Sequence, residues 1–456
     1  MTQNSSPLFD KRYLLKLILP LVAEQFLAIT IGACDTLMVS SIGEEGVSGV
    51  SLIDQFSQLM IQLFAAFATG GAVVSSQYLG NKSPENARKA AKQLLYVASF
   101  LGLVIIAVCM PLRKVILSTL YGKTEPAVMK NALDYFVWIL LSFPFLAIYN
   151  SSAALFRSMG NSKLSLKVSI AMNAINIAGN AILIYGMKIG VDGAGISTLT
   201  SRFVAAIIML VLLCNPKNVI YIERIWKFEI NFGIIKRILK VGIPSGIENS
   251  VFHIGKIFVQ SFMSGFGTVA ITANAITNTI AGFSNIPGNA IGLGSITIVG
   301  QCIGAGQKDE AKRYGKMMMK TTYAAMFAVS LVIFIFAPLI VIPFKLSPET
   351  AALTVGVTRS CMAVNVLFWP MSFTMPNILR AAGDAKYTMV VSNISMWAFR
   401  VLFSFLISYF ILKRNPSNTS LALYGVWIGM YLDWIFRGAF FLARFHGNKW
   451  LDKKVI

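Results

Sequence analysis

The sequence predicts an all-α integral membrane protein of twelve transmembrane helices, arranged as two pseudo-symmetric six-helix lobes. Three observations predict it: a composition too apolar for a soluble protein, a succession of long apolar runs, and a second half that repeats landmarks of the first. Of 456 residues, 56% are hydrophobic and 13% charged, against roughly 25% charged in ordinary soluble domains. Read as soluble, the length corresponds to about three domains of roughly 150 residues, and so few polar side chains cannot cover three globules. The same figures exclude a disulfide scaffold and a disordered chain.

A spanning helix needs about 20 mostly apolar residues. The first run is centred near Ala28. Lys11, Arg12 and Lys16 precede it as in a signal peptide, but it continues past Ala33 without a small-residue cleavage site and reads as a retained span. Runs near Phe64, Leu103, Leu141, Asn176 and Met209 complete the first six. Those near Val251, Asn285, Val332, Leu367, Leu402 and Met430 make the second six. Between the sets lies the longest polar connection, residues 215–231, with Lys217, Glu223, Arg224, Lys227 and Glu229. It divides the chain into an N-terminal lobe, 1–222, and a C-terminal lobe, 223–456.

Lys and Arg number 40 against 19 Asp and Glu, a net charge of +21. In a soluble chain that excess points to nucleic acid. Here the cations sit in short loops between apolar runs, which is the pattern of cytoplasmic loops, and no nucleic-acid partner is expected. With the N-terminus inside, Arg88 and Lys89, Lys236 and Arg237, Lys312 and Arg313, and Lys453 and Lys454 all fall on the cytoplasmic side. Glu44 and Glu45 fall outside. Both termini are therefore expected in the cytoplasm and the lipid bilayer is the first partner. Cys34, Cys109, Cys214, Cys302 and Cys361 are widely spaced in or beside apolar runs and read as small buried hydrophobes. With His253 and His446 the only histidines, no metal site is expected.

The halves correspond at an offset of about 224 residues. Leu15, Lys16, Pro20, Glu24 and Gly43 meet Leu239, Lys240, Pro244, Glu248 and Gly267, and Gln77 and Gly80 meet Gln301 and Gly304. One residue of slippage later, Arg157, Gly160 and Lys163 meet Arg380, Gly383 and Lys386. Six spans per half is an even number, so both halves thread the membrane in the same direction, as parallel repeats related by an axis along the membrane normal. That is transporter architecture, with a site expected near the midplane between two bundles that rock against each other.

The paired features resemble the multidrug and toxic compound extrusion (MATE) family over essentially the whole chain. The resemblance rests on Pro20 followed by Gly32-Ala33-Cys34-Asp35-Thr36-Leu37-Met38-Val39 and Ile42-Gly43, and on Ser76-Gln77-Tyr78-Leu79-Gly80. It rests also on Leu155-Phe156-Arg157-Ser158-Met159-Gly160-Asn161-Ser162-Lys163, echoed by Leu379-Arg380-Ala381-Ala382-Gly383-Asp384. It implies a monomeric antiporter of the inner (plasma) membrane, exporting lipophilic, often cationic drug-like compounds in exchange for protons or sodium ions. No cofactor is implied beyond that coupling ion.

An ionised side chain at mid-bilayer costs about 2.5–3.5 kcal/mol on insertion scales, so it usually serves a function. Asp35, two-thirds along the first run, is either an acid near the outer headgroups or a carboxylate that binds and releases a proton. It matches the family's first-helix acid, expected to couple ion binding to helix bending. Pro20, which removes a backbone hydrogen bond in the same helix, is the expected hinge. Asn173, Asn176 and Asn180 share one helical face; they either line an interior surface or bond helix to helix. Asn176 and Asn180 align with polar positions beside the family's first-helix acid. Many members carry aspartate where this chain has Asn180, so proton relay through that position is lost. Ion handling is then expected at Asp35, with Asn176, Asn180 and Thr198 as hydrogen-bonding neighbours.

In the second half, Glu248 aligns with a glutamate that some members use in cation binding, while its repeat partner Glu24 suggests a structural role for both. Lys256, on the same helix, is expected to find a partner on another helix. The aspartate of sodium-linked members in the tenth run should fall near Trp369 and is missing. The eighth run, with Asn274, Asn278 and Asn285, is expected to bend at Pro287 and face the central cleft. Trp369 and Met371 with Phe368 and Met375 suit an adaptable apolar wall or ordinary helix packing. Asn173, Asn274, Asn278, Pro287, Trp369 and Met371 are the expected cavity residues. The alternative function is a lipid-linked oligosaccharide flippase of the same superfamily. An enzyme is not expected, since no catalytic grouping such as HExxH is present.

Overall fold

The structure, a computed structural model, describes residues 8–122, 124–223, 227–415 and 418–456, and the backbone alone of Ala33. Arg224 lies outside the described residues. The described chain is helical, with no strand among those residues. Its helices are α1 Lys11–Val39, α2 Glu44–Gly80, α3 Pro84–Tyr121, α4 Pro126–Ser158, α5 Ser162–Asn180, α6 Val191–Leu213 and α7 Phe232–Met263. There follow α8 Thr268–Ser284, α9 Ile286–Gly304, α10 Lys308–Val341, α11 Pro348–Trp369, α12 Met375–Ala381, α13 Ala385–Ser395, α14 Ser404–Arg414 and α15 Thr419–His446.

Prolines in the first turn start α3, α4 and α11, where a missing N–H costs nothing. Among the described residues, eleven helical stretches are long and apolar enough to cross a membrane. The other expected span, α7, has 32 residues but carries Lys236, Arg237, Lys240, Glu248, His253 and Lys256, and is too polar to count among them. Large apolar side chains lie exposed in stripes, as on α10, where Phe327, Leu331, Ile335 and Leu339 follow at every fourth residue. Such a stripe has no place on a soluble globule and suits contact with lipid.

The eighth run bends as expected. The interruption is confined to Asn285, whose backbone stays helical, with its N–H bonded to the Ala281 carbonyl and its carbonyl accepting from Asn289, both at 3.0 Å. Pro287, two residues on, cannot donate the interior hydrogen bond and kinks the path from α8 into α9.

The helices form two compact units. One comprises Phe9–Gly246, the other Ile247–Val455. The sequence-based boundary at 222/223 lies within the first. There the connection docks on α3: Arg88 donates to the Val219 carbonyl (3.1 Å) and Gln93 to the Glu229 carbonyl (2.6 Å). The first turns of α7 also pack against α2 in this unit, where a Cβ on Gly70 would lie 2.5 Å from the Ile238 carbonyl.

The backbone repeats with the sequence. Gly43 and Gly267, and Gly160 and Gly383, hold positive φ (103° and 85°; 78° and 101°). Lys82 (53°) and Gly306 (74°) do the same after α2 and α9. Each of the second and third pairs closes its helix with the same two bonds: the residue in the left-handed region donates three residues back and its successor five back. This is the double hydrogen bond of a Schellman ending. Among the described residues, three spans contain a π-helical stretch: Ala181–Gly186 after α5, Pro370–Thr374 after α11, and Met396–Phe403 between α13 and α14. Such stretches are rare and cluster at functional sites.

Candidate functional site

In the unit Phe9–Gly246, α1, α5 and α6 converge on Asp35. Asn180, almost fully buried at 1% exposure, donates its amide to the Asp35 carboxylate, tying α5 to α1. The amide oxygen of Asn180 is buried with no partner among the described residues. An acceptor thus lies unused beside the carboxylate, an arrangement that suits a small cation or a proton. Asn176 reaches the other way, with its amide nitrogen 3.4 Å from both Ser197 Oγ and Thr198 Oγ1. Ser197 donates to the Asn176 carbonyl at 2.7 Å, and Thr198 to its own helix at Ala194, 2.9 Å. Asn173 does not join them; its amide folds back on Ser169 at 2.8 Å. The three asparagines expected on one face therefore serve three partners.

Sequence reasoning missed part of this group. Asp54 on α2 and Tyr135 on α4 interact electrostatically with Asp35 and with Arg202. Arg202, on α6, donates to Ser142 Oγ at 2.7 Å. The test applied to Asp35, an acid inside an apolar run, also singles out Asp54. Asp35, Asp54 and Arg202 thus form one electrostatic group of two acids and one guanidinium.

In the unit Ile247–Val455, Glu248 lies between Arg380 Nη2 (2.7 Å), Ser392 Oγ (2.7 Å) and Thr388 Oγ1 (3.1 Å). Its repeat partner is held alike: Glu24 faces Arg157 Nη1 at 3.6 Å and accepts from Ser165 Oγ at 2.6 Å. Arg157 and Ser165 are the repeat partners of Arg380 and Thr388. Of the remaining expected residues, Asn274, Asn278, Pro287, Trp369 and Met371 lie in this unit, with Asn278 exposed. Asn274 is buried and accepts from Asn278, one turn on, at 3.1 Å. Pro287 is buried, and Trp369 stacks on Phe373 with centroids 5.0 Å apart. Met371 packs against the backbone of α15 at Gly438. Pro20 is buried within α1, which runs through it without interruption.

A family pattern described as MatE matches residues 20–182 and again 244–406, two copies beginning 224 residues apart. The chain belongs to the MatE family. As a MATE protein it is a multi-pass membrane transporter, and the repeat seen in its sequence is the family's own. It is 29% identical to the uncharacterized transporter YisQ of Bacillus subtilis over 97% of this chain and 96% of that protein. It is 25% identical to the probable multidrug resistance protein NorM of Thermotoga maritima over 98% of this chain and 94% of that one. Its fold matches that of a multidrug resistance MATE family transporter of the MOP superfamily in an outward-facing conformation, with TM-score 0.87, 19% identity and 96% of both chains covered. It also matches a MOP superfamily transporter from Pyrococcus furiosus, described as having a binding pocket of reverse polarity, with TM-score 0.86, 18% identity and 96% of both chains covered.

Proposed function

We propose that this MATE protein exports lipophilic, drug-like small molecules across the inner (plasma) membrane by alternating access, driven by inward movement of H+ or Na+. The cell would hold it as a multi-pass monomer with both termini in the cytoplasm. Export is supported by the names of its relatives, which speak of multidrug resistance and export; those names do not favour a lipid-linked oligosaccharide flippase.

The observation that carries ion coupling is the Asp35 carboxylate bound to Asn180, whose amide oxygen is left without a partner. An entering cation gains about 2.3 kcal/mol per 100 mV of membrane potential. Bound at Asp35, it cancels the surplus negative charge of the Asp35, Asp54 and Arg202 group, and α1 can then repack about Pro20 against α5. Asn176 and Thr198 hold the α5–α6 side of the site in place. Glu248 is read as structural, because Arg380 and two hydroxyls already satisfy it, as Arg157 and Ser165 hold Glu24.

The test is accumulation of a panel of lipophilic dyes in cells producing the protein, with and without a protonophore and with sodium withdrawn. Export that stops when one gradient is removed supports coupling and identifies the ion. Export indifferent to both would refute it.

A further inference from the structure

Phe252 on α7 is the centre of an unusual distribution of charge within the unit Ile247–Val455. The guanidinium carbons of Arg400 and Arg437 lie 4.8 and 5.5 Å from its ring centroid, and Arg437 is also 4.9 Å from that of Phe373. Both arginines are nearly fully buried, at 5% and 2% exposure. They share one counter-ion. Arg437 donates to both oxygens of Asp433 (2.8 and 3.1 Å), and Arg400 Nε lies 3.1 Å from Asp433 Oδ2 without the alignment of a hydrogen bond. Asp433 also accepts from Ser395 at 2.6 Å. Arg437 Nε has no acceptor among the described residues.

The neighbours on α7 add no negative charge. One turn before Phe252, Glu248 is taken up by Arg380. One turn after it, on the same face, Lys256 is exposed, interacts electrostatically with Arg400, and forms no ion pair among the described residues. Among the described residues the partner expected for Lys256 on another helix is not found; its electrostatic neighbour there is the cation Arg400. Two carboxylates, Glu248 and Asp433, face four cations, Arg380, Arg400, Arg437 and Lys256. In the other unit, Asp35 and Asp54 outnumber Arg202. The two repeats have opposite polarity.

Burying an uncompensated cation is costly, and stacking on Phe252 offsets part of that cost without supplying a counter-charge. A bound anion removes the imbalance. Guanidinium groups with unused N–H donors suit a planar or tetrahedral oxyanion, and Phe252 and Phe373 offer apolar rings beside it. We propose that the C-terminal unit binds the anionic group of an aromatic amphiphile, a carboxylate, sulfonate or phosphate, through Lys256, Arg400 and Arg437. Resting on the export reading above, this specifies the substrate as an anion or zwitterion rather than the cation that the family resemblance implies.

Xanthene dyes of one scaffold and different charge test it: anionic fluorescein, zwitterionic rhodamine B and cationic rhodamine 6G. Their binding is measured by anisotropy on the purified full chain in phosphatidylcholine nanodiscs. Fluorescein and rhodamine B should bind at least tenfold tighter than rhodamine 6G. Lys256→Gln, which breaks no pair, should weaken fluorescein at least tenfold and leave the melting temperature and rhodamine 6G unchanged. Arg400→Gln, which leaves Asp433 paired to Arg437, should do the same. Equal or tighter binding of rhodamine 6G, or unchanged fluorescein binding in Lys256→Gln, overturns the proposal. Repeating the titration with phosphatidylglycerol in the nanodisc separates two sources of the anion. Displacement of fluorescein assigns the site to a lipid headgroup, and its persistence assigns it to a soluble solute. Asp35→Asn should bind fluorescein normally, so a failure of ion coupling would show in transport and not in this titration.

Discussion

Asn180 donates its amide to the Asp35 carboxylate, joining the end of α5 to α1 where a π-helical stretch begins. This bond gives the first helix a partner that a bound proton or cation can compete with. Asn173, seven residues earlier, bonds only its own helix among the described residues. A hydrogen bond to a charged group is worth about 1.5–3 kcal/mol. Asn180→Leu should therefore lower ion-driven dye flux at least tenfold at equal protein level, while Asn173→Leu changes it less than threefold. Flux in proteoliposomes, normalised to reconstituted protein, decides between them.

Glu248 and Arg380 form a buried pair, and removing one partner strands a charge. Arg380→Met should destabilise the protein by about 3–5 kcal/mol. Adding Glu248→Gln to that variant should recover most of the loss. Arg157→Met should cost less, since Glu24 and Arg157 are 3.6 Å apart against 2.7 Å for the second-half pair. Thermal unfolding of the four proteins in detergent gives the order.

Gly306 and Gly383 both end helices in the left-handed region, yet their surroundings differ. Nothing lies within 4 Å of a Cβ placed on Gly306, whereas on Gly383 it would meet the Lys453 carbonyl at 2.4 Å. Gly306→Ala should cost only about 1 kcal/mol of backbone strain. Gly383→Ala should add a further 1–3 kcal/mol, roughly, from the displaced tail. Lys82, the repeat partner of Gly306, already tolerates a side chain in this conformation.

Close helix approach gives another prediction. A Cβ on Gly429 of α15 would lie 2.1 Å from Ser404 Oγ and 2.8 Å from its backbone nitrogen on α14. Gly429→Val should lower the melting temperature sharply, and Gly265→Val, with nothing within 4 Å, should leave it within experimental scatter.

The fold was legible in the sequence because the bilayer leaves few choices: apolar runs become helices, and the repeat returned as matched turns at Gly43 and Gly267, 224 residues apart, and at Gly160 and Gly383, 223 apart. The kink at Asn285 was legible from Pro287, which cannot donate the interior helical hydrogen bond, although the residue at which it falls was not. Asp35, Asn176, Asn180 and Glu248 stood out as polar residues in apolar surroundings, and the pairs Glu24–Arg157 and Glu248–Arg380 follow from the repeat. Asp433 escaped because its partners lie on two helices and its cluster has no counterpart in the first half. Its ties to Ser395 and Arg400 span 38 and 33 positions, and periodicity says nothing about such contacts. Asp54 lies one run later than Asp35, and its link to Asp35 and Arg202 crosses from α2 to α1 and α6, which spacing along one helix does not reveal.

The central claim is that Asp35 couples ion entry to export. The most direct test reconstitutes the wild-type protein and Asp35→Asn in liposomes, imposes an inward pH or sodium gradient, and follows the dye that the wild-type protein moves fastest. Asn replaces the carboxylate at equal size, so the fold should persist, as judged by an unchanged melting temperature. The account predicts gradient-driven flux in the wild-type protein and only protein-free leakage in Asp35→Asn. Gradient-responsive flux at the wild-type level in the Asp35→Asn protein would contradict it.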